Sequence, residues 1–256
     1  MKSPAASGKV YFIGAGPGDP ELLTRKAFAL LSRAEVVLHD ALVPEQILQV
    51  APANAILRSV GKRCGQKSIT QDEIHALLIE HVRAGQMVVR LQGGDPLIFG
   101  RAGEEIAALK LAGVDFEIVP GVTAASAAAA AAQISLTDRR VASKLILLSA
   151  HRGAADRDTS WDALPSSDAT LAIYMPGRDY ERIVRDLAAA GWPLQTPCII
   201  VSRAGSPQQL ILRLDLASLA SAPDVPAPAL LLVGDVTDMQ ALEAVAAFVP
   251  ESRAER

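Results

Sequence analysis

The stretch VYFIGAGPGD, residues 10–19, places a short apolar run directly before a loop of glycine, proline and aspartate. An apolar run of this length, bounded by turn residues, predicts a buried strand, and glycines let the backbone turn tightly and approach a ligand. Two further runs end in the same way, MVVRL before QGGDP at 87–96 and FEIV before PGVTAA at 116–125. Because ligands of open α/β sheets bind beyond the carboxyl ends of strands, these loops predict one ligand site.

Apolar runs alternate with segments of helical period along the rest of the chain, which is typical of an α/β protein with parallel strand pairing. The predicted helices are 21–32, 71–84 and 102–112, followed by an alanine-rich helix after 121; the further strands are 36–38, 145–149, 172–175, 198–201 and 230–233. Residues 120–122 are the candidate junction between two α/β domains, 8–120 and 121–250.

Composition and charge limit the partners, the cellular compartment and the metal sites that we expect. A formal net charge of −3 gives no overall attraction to nucleic acid or to an anionic membrane, so we expect neither as a partner. The two cysteines, Cys64 and Cys198, form no CxxC spacing, and the chain start has no long apolar core; a reduced cytoplasmic protein is the simpler interpretation. The 4 histidines are scattered, so we expect no metal site.

The first loop, GAGPGD, partly matches the dinucleotide fingerprint GxGxxG, and Asp40 stands near the distance of its ribose-binding acid. Asp19 occupies the third glycine position, where a carboxylate would repel a pyrophosphate, and Pro17 removes a backbone donor. Dinucleotide binding is therefore disfavoured. By itself the loop is equally compatible with a tight strand-to-helix turn and with a ligand loop.

Seven segments in order carry a resemblance to a known family: GAGPGDPELLT (14–24), HDALV (39–43), VGKRCG (60–65), GGDPLIFGRAGEE (93–105), PGVTAA (120–125), Tyr174-Met175 and PALLLVG (228–234). Together they resemble the tetrapyrrole methylase family. GDPLIFGRAGEE with VGKR narrows the resemblance to members that methylate uroporphyrinogen III. Some positions depart from the family: Gln92 stands where lysine is frequent, Asp138 where histidine is frequent, and Ala204 replaces a loop glycine.

The resemblance implies a two-domain α/β architecture with a cleft between the domains, usually in a homodimer. It implies transfer of methyl groups from S-adenosyl-L-methionine to C2 and C7 of uroporphyrinogen III, which gives precorrin-2 for the biosynthesis of sirohaem, cobalamin or related porphyrin-derived macrocycles. The residues implied to bind the methyl donor are Pro17, Gly93, Gly94, Asp95, Ile98, Thr123, Ala124, Met175, Ala204 and Ala229.

The resemblance also implies a proton acceptor, Asp40, and a proton donor, Lys62. We expect Arg101 and Arg63 to bind substrate carboxylates, because Arg101 directly follows the second loop and a guanidinium binds a carboxylate bidentately. Two other readings of Asp40 stay open at this stage, a cap of a helix near Pro44 and a pair with Lys62 that only holds the loop. The alternatives in function are another precorrin methylase and a binding homologue with impaired catalysis.

Overall fold

The computed structural model describes residues 8–61, 69–151, 161, 164, 165 and 168–238. The chain forms two compact units that divide between Ala124 and Ala125. The domain limits inferred from the sequence, 8–120 and 121–250, stay a prediction.

Unit 1 is a parallel sheet covered by helices on both faces. Its elements are β1 (Lys9–Gly14), α1 (Arg25–Leu31), β2 (Val36–His39), α2 (Glu45–Leu48), β3 (Ile56–Ser59), α3 (Gln71–Arg83), β4 (Met87–Gln92), α4 (Ala102–Leu111) and β5 (Phe116–Val119). The five strands lie in the order β3-β2-β4-β1-β5, and every pair is parallel. Alternate strand residues pack on opposite faces: Ile13 joins the core under α1 and α2, whereas Phe12 joins the core under α3 and α4.

This order makes β1 and β4 the neighbours at which the topology reverses. The chain leaves β1 towards α1 on one face, and it leaves β4 towards α4 on the other face. Open α/β sheets bind ligands at such a reversal, beyond the carboxyl ends of the strands. The fold therefore directs attention to the loops after β1, β4 and β5.

Unit 2 contains a mixed sheet. Its elements are α5 (Ala124–Ala132, beginning at the division), β6 (Lys144–Ser149), β7 (Ala169–Tyr174), α6 (Tyr180–Ala189), β8 (Pro197–Ser202), β9 (Leu210–Asp215), α7 (Leu216–Leu219) and β10 (Ala229–Val233). The order is β6-β7-β10-β8-β9; β6 and β7 are parallel, and the other three pairs are antiparallel. The expectation of parallel pairing was thus wrong for most of this sheet, because β10 runs against both of its neighbours.

Helix α1 begins later than the predicted start at residue 21. Pro20–Leu22 form a separate 3-10 turn, in which the Asp19 side chain accepts a hydrogen bond from the Glu21 amide. The Thr24 side chain then caps α1 by accepting from the Ala27 amide. Two N-terminal caps close together therefore divide the predicted helix into a turn and a helix.

Candidate functional site

The loops after β1 and β4 are joined by backbone hydrogen bonds. Ala15 N donates to Gln92 O at 2.7 Å, and Gly16 and Gly94 exchange two bonds, of 2.7 and 3.1 Å. Gly94 has a φ of +66°, a left-handed conformation that favours glycine. The two loops consequently form one surface at the carboxyl ends of these strands. We call the loops after β1, β4 and β5 (residues 15–19, 93–100 and 120–124) the carboxyl edge of unit 1.

The third loop packs against the other two through bare backbone. A Cβ atom added to Gly14 would lie 2.5 Å from Gly121 N and 2.6 Å from Gly94 O, distances that real side chains do not tolerate. The Asp95 carboxylate completes the join, because Oδ2 accepts from Gly121 N at 3.0 Å while Oδ1 accepts from Leu97 N at 2.8 Å. Asp95 therefore holds this edge together through both oxygens.

The predicted donor-binding residues of unit 1 lie together on this edge. All are half-buried: Pro17, Gly93, Gly94, Asp95, Ile98, Thr123 and Ala124. Small residues expose backbone atoms there, and a Cβ on Gly93 would meet nothing closer than Leu42 Cβ at 3.5 Å. Such a surface of half-buried backbone suits an uncharged nucleoside moiety, which binds through hydrogen bonds and apolar contacts.

Large apolar side chains stand in solvent beside this edge. Leu97 is 58% exposed, Phe99 43% and Leu42 63%. Phe99 also has a left-handed backbone conformation, with a φ of +53°. Exposed apolar side chains grouped beside a polar loop are typical of a ligand surface.

Asp40 lies at the carboxyl end of β2 and pairs with a buried arginine. Its Oδ1 is 2.7 Å from Arg90 Nη1, and the two side chains are 27% and 5% exposed. Arg90 also pairs with Glu105, which is 1% exposed, through an Nε–Oε2 distance of 3.0 Å. Burial lowers the pKa of the Arg90 guanidinium, but the charges of Asp40 and Glu105 outweigh it and raise the pKa above its ordinary value. Arg90 is thus permanently charged.

The structure contradicts the interpretation of the Asp40 side chain as a helix cap. Helix α2 begins after Pro44 without a side-chain cap, and only the Asp40 backbone oxygen takes part, accepting from Val43 N at 3.3 Å. The partners Arg90 and Glu105 were missed from the sequence. A signal was available, because a charged residue inside the apolar run MVVRL is expected to be buried only when paired.

Arg101 stands at the start of α4 with a φ of +58°. Its Nε and Nη2 donate to the two oxygens of Glu104 at 2.8 and 2.7 Å, and the Arg101 side chain is 54% exposed. Hydrogen bonding to Glu104 raises the pKa of Arg101. Nη1 has no partner among the residues that the structure describes. The other predicted cations, Lys62 and Arg63, lie outside the described residues.

Gln92, the departure from the family at the end of β4, is fully buried. Its Nε2 donates to Gly100 O at 2.6 Å, while Oε1 has no partner in the described part of the chain. The amide therefore spans the loop from Gly93 to Gly100 from beneath. Asp138, the other departure, pairs with Arg140, whose side chain and amide lower the pKa of Asp138 to about 2.

In unit 2 the predicted donor-binding residues gather at one end of the sheet. Met175 follows β7, Ala204 follows β8, and Ala229 begins β10, which is antiparallel to both strands. Met175 has a φ of +51° and is 46% exposed. The loop after β8 is fixed to the chain before β10, because Arg203 N donates to Pro228 O at 2.8 Å. We call these three positions the Met175 edge.

Two other features are absent from the described ranges. No helix there is both long and apolar enough to cross a membrane. No cluster of three or more histidine, cysteine, aspartate or glutamate side chains that could hold a metal ion occurs among the same residues.

The two α/β units, with a glycine-rich carboxyl edge in unit 1, place the chain among two-unit α/β proteins with a candidate ligand site at a strand end. The chain belongs to the tetrapyrrole methylase family: the family Tetrapyrrole (Corrin/Porphyrin) Methylases matches residues 9–220. The resemblance and fold class inferred from the sequence are thereby confirmed.

Named relatives agree with this assignment. A Uroporphyrinogen-III C-methyltransferase of Paracoccus denitrificans is 43% identical over 93% of this chain and 85% of its own length. The solved cobalt precorrin-4 methyltransferase superposes with a TM-score of 0.82 at 32% identity, covering 93% of this chain and 99% of that one. A Uroporphyrin-III C-methyl transferase from Thermus thermophilus, complexed with S-adenyl homocysteine, superposes with a TM-score of 0.77 at 38% identity. The superposition covers 90% of this chain and 93% of that one. The chain spans about half the length of the siroheme synthases that it matches, 49% for the one from Psychrobacter.

Proposed function

We propose that this chain transfers methyl groups from S-adenosyl-L-methionine to C2 and C7 of uroporphyrinogen III and so produces precorrin-2. The observation that carries the proposal is the carboxyl edge of unit 1, where half-buried small residues lie in loops at the same sheet end as the Asp40 carboxylate. The Paracoccus relative, named for this activity and similar over nearly the whole chain, supports the choice of reaction.

The methyl donor supplies a sulfonium methyl group when bound. In the proposed complex the nucleoside moiety contacts Gly93, Gly94 and Thr123 through backbone atoms and Ile98 through its side chain. We propose Met175, Ala204 and Ala229 as further donor-binding residues. Methyl transfer needs alignment more than covalent help from the protein, because the electron-rich pyrrole carbon forms the new bond as the sulfur–carbon bond breaks.

A proton must leave the methylated ring, and we propose that Asp40 accepts it. Oδ1 pairs with Arg90, no partner of Oδ2 occurs within the described ranges, and the Asp40 side chain is 27% exposed. Lys62 is proposed to return a proton. In support, Gly61, the residue before it, packs its backbone against the Ala41 backbone next to Asp40. Positioned proton transfer of this kind contributes about 10²- to 10⁴-fold to a rate.

The substrate is a macrocycle with many carboxylates, and we propose that cationic and apolar side chains share its binding. Arg101 retains Nη1 for an acetate or propionate, and Arg63 is proposed to bind a second carboxylate. The exposed side chains of Leu97 and Phe99 offer an apolar surface to the pyrrole rings.

The test is an assay of the purified protein with S-adenosyl-L-methionine and uroporphyrinogen III under reducing, anaerobic conditions. Mass spectrometry should find S-adenosyl-L-homocysteine and a tetrapyrrole with two added methyl groups. Two results would contradict the proposal. Turnover of cobalt-precorrin-4 alone would favour the activity named for the cobalt precorrin-4 methyltransferase. Binding of donor and macrocycle with no turnover would indicate a binding homologue.

We also propose that the protein is a cytoplasmic homodimer, with sirohaem and cobalamin synthesis as candidate pathways downstream. Burial raises the pKa of the Cys198 thiol to about 12, so this cysteine is inert and no disulfide is required of it. Light scattering coupled to size exclusion tests the dimer. A monomer mass throughout the micromolar range would refute it.

A further inference from the structure

Arg90 is a charged residue in the middle of a buried sheet. Strand β4 lies between β2 and β1, and the Arg90 side chain is only 5% exposed. Burying a charge costs free energy unless it is paired and hydrogen-bonded. A buried arginine at this position therefore depends on charged and hydrogen-bonding partners.

Glu105 alone would neutralise Arg90. Nε and Nη2 of Arg90 donate to the Glu105 carboxylate at 3.0 and 3.2 Å, and this carboxylate also accepts from Gln71 Nε2 at 3.0 Å. Glu105 is thus a fully buried anion with its own three donors. Neither charge balance nor hydrogen bonding of the Arg90–Glu105 pair requires a third charged group.

The remaining nitrogen, Nη1, points to the carboxyl end of the sheet. It lies 2.7 Å from Asp40 Oδ1 and donates to Leu91 O at 3.3 Å. The guanidinium is planar and rigid. When Glu105 fixes Nε and Nη2 of Arg90, it therefore also fixes the position of Nη1 beside Asp40. Arg90 thus holds one Asp40 oxygen, while the Asp40 side chain as a whole stays 27% exposed.

We propose that Arg90 is a positioning residue for Asp40, and that Glu105 is the anchor that fixes Arg90. This inference rests on the proposed role of Asp40 as proton acceptor. A general base must stay within hydrogen-bond reach of the proton that it removes. Arg90 supplies that constraint on a carboxylate that would otherwise rotate freely at the carboxyl end of β2.

A purely structural network makes a different prediction. If Arg90 only stabilised unit 1, its replacement would lower stability, and any loss of rate would multiply with the loss caused by Asp40→Asn. If Arg90 acts through Asp40, its replacement has no further effect once Asp40 has lost its basicity. A double-mutant cycle on the rate separates the two.

The experiment uses Arg90→Lys, Asp40→Asn and the double variant in single-turnover methyl transfer, with donor affinity measured by calorimetry. Lysine keeps the positive charge beside Glu105, but one ammonium group cannot hold both carboxylates in the same geometry. We expect Arg90→Lys to lower the rate roughly 10- to 100-fold at unchanged donor affinity. In the Asp40→Asn background the same change should alter the rate by less than about twofold.

The outcomes are distinct for each proposal. Independent losses that multiply in the double variant overturn the positioning role while leaving Asp40 catalytic. A full rate in Asp40→Asn alone overturns the catalytic proposal itself, and the positioning inference with it. Arg213→Lys is the control, since Arg213 is an exposed arginine of unit 2 that donates to Ala132 O at 2.7 Å; its rate should not change.

Glu105→Gln provides a second measurement if Arg90→Lys does not fold. Glutamine keeps the shape and accepts one donor, but it frees the Arg90 guanidinium to move. We expect a rate loss of about tenfold that again disappears in the Asp40→Asn background. A loss that persists there would overturn the anchoring role of Glu105.

Discussion

The two sheets present their candidate ligand positions in different ways. In unit 1, parallel strands end side by side, and charged groups lie at these ends. Asp40 pairs with Arg90 after β2, and Asp95 joins two loops of the carboxyl edge. At the Met175 edge of unit 2, the ends of β7 and β8 meet the start of β10. Beside this edge, Arg203 donates to the Ala227 and Pro228 backbone oxygens.

The difference predicts a division of roles between the two edges, with different effects of substitution at each. The unit 1 edge is built from buried polar bonds and close backbone contacts, so we expect substitutions there to lower stability together with donor binding or rate. The Met175 edge takes its shape from backbone conformation, with Met175 and Arg203 both at positive φ. Substitutions there should affect donor affinity while leaving unit 2 folded. Three predictions test this division.

The largest effect is expected for Gly121→Ala. A Cβ at this position would overlap Gly94 O and lie 2.8 Å from Gly14 Cα, so the three loops of the carboxyl edge would have to separate. Overpacking of backbone against backbone should lower the free energy of unfolding by about 3 kcal/mol and abolish donor binding. Urea denaturation and calorimetry measure the two effects.

The control for Gly121→Ala is Gly103→Ala. Gly103 lies in α4, and a Cβ there would meet no atom within 4 Å. Alanine in a helix should raise stability by about 0.5–1 kcal/mol and leave donor binding unchanged. Wild-type donor affinity in Gly121→Ala would show that the contact of the three loops does not shape the site.

Much of unit 1 could be predicted from sequence, because apolar runs that end in glycine loops mark buried parallel strands. Strand β3 was missed because it does not have such an apolar run. It lies at the edge of the sheet, pairs only with β2, and has four exposed residues. Helix α6 was also missed, although Tyr180, Ile183 and Leu187 recur at helical spacing and are buried. That signal was present in the sequence.

The strand directions of unit 2 and the network of unit 1 could not be predicted. A buried central strand such as β10 is apolar on both faces, so LLLV is the same whether its neighbours run parallel or antiparallel. The Arg90–Glu105 pair joins residues 15 positions apart on a strand and a helix, a contact that only the fold brings about. The residues on the two edges were identified by family motif, and their roles stay predictions.

An intermediate effect is expected for Met175→Gly. Glycine relieves the left-handed conformation of Met175, which costs an ordinary residue about 1–2 kcal/mol, so stability should rise by about 0.5–1 kcal/mol. Loss of the exposed side chain should weaken donor binding about tenfold, equivalent to about 1.4 kcal/mol. Stability and affinity then change in opposite directions, which thermal denaturation and calorimetry would detect.

Gln133→Gly separates the two contributions. Gln133 is exposed after α5 and has a φ of +57°, so glycine should stabilise it in the same way. It is not a candidate ligand residue, and donor affinity should stay at the wild-type value. Equal affinity in Met175→Gly and Gln133→Gly would exclude a role of the Met175 side chain in binding.

The smallest effect is expected at the opposite end of the unit 2 sheet, for Asp168→Asn. The Ser143 hydroxyl and amide, followed by Lys144, hold the pKa of Asp168 at about 2, below the value of about 3.9 in an unfolded chain. A lowered pKa stabilises the fold above the unfolded value, and this contribution is lost as the pH falls from about 4 to about 2. The stability gap between wild type and Asp168→Asn should therefore be constant from pH 7 to about pH 5 and shrink below about pH 4, as urea midpoints would report. Ser143→Ala removes the first of these donors and should narrow that window.

Because Asp168 precedes β7 whereas Met175 follows it, donor affinity should not change in either variant. A change of affinity would mean that the two ends of this sheet are coupled, and that donor affinity in unit 2 is not determined at the Met175 edge alone.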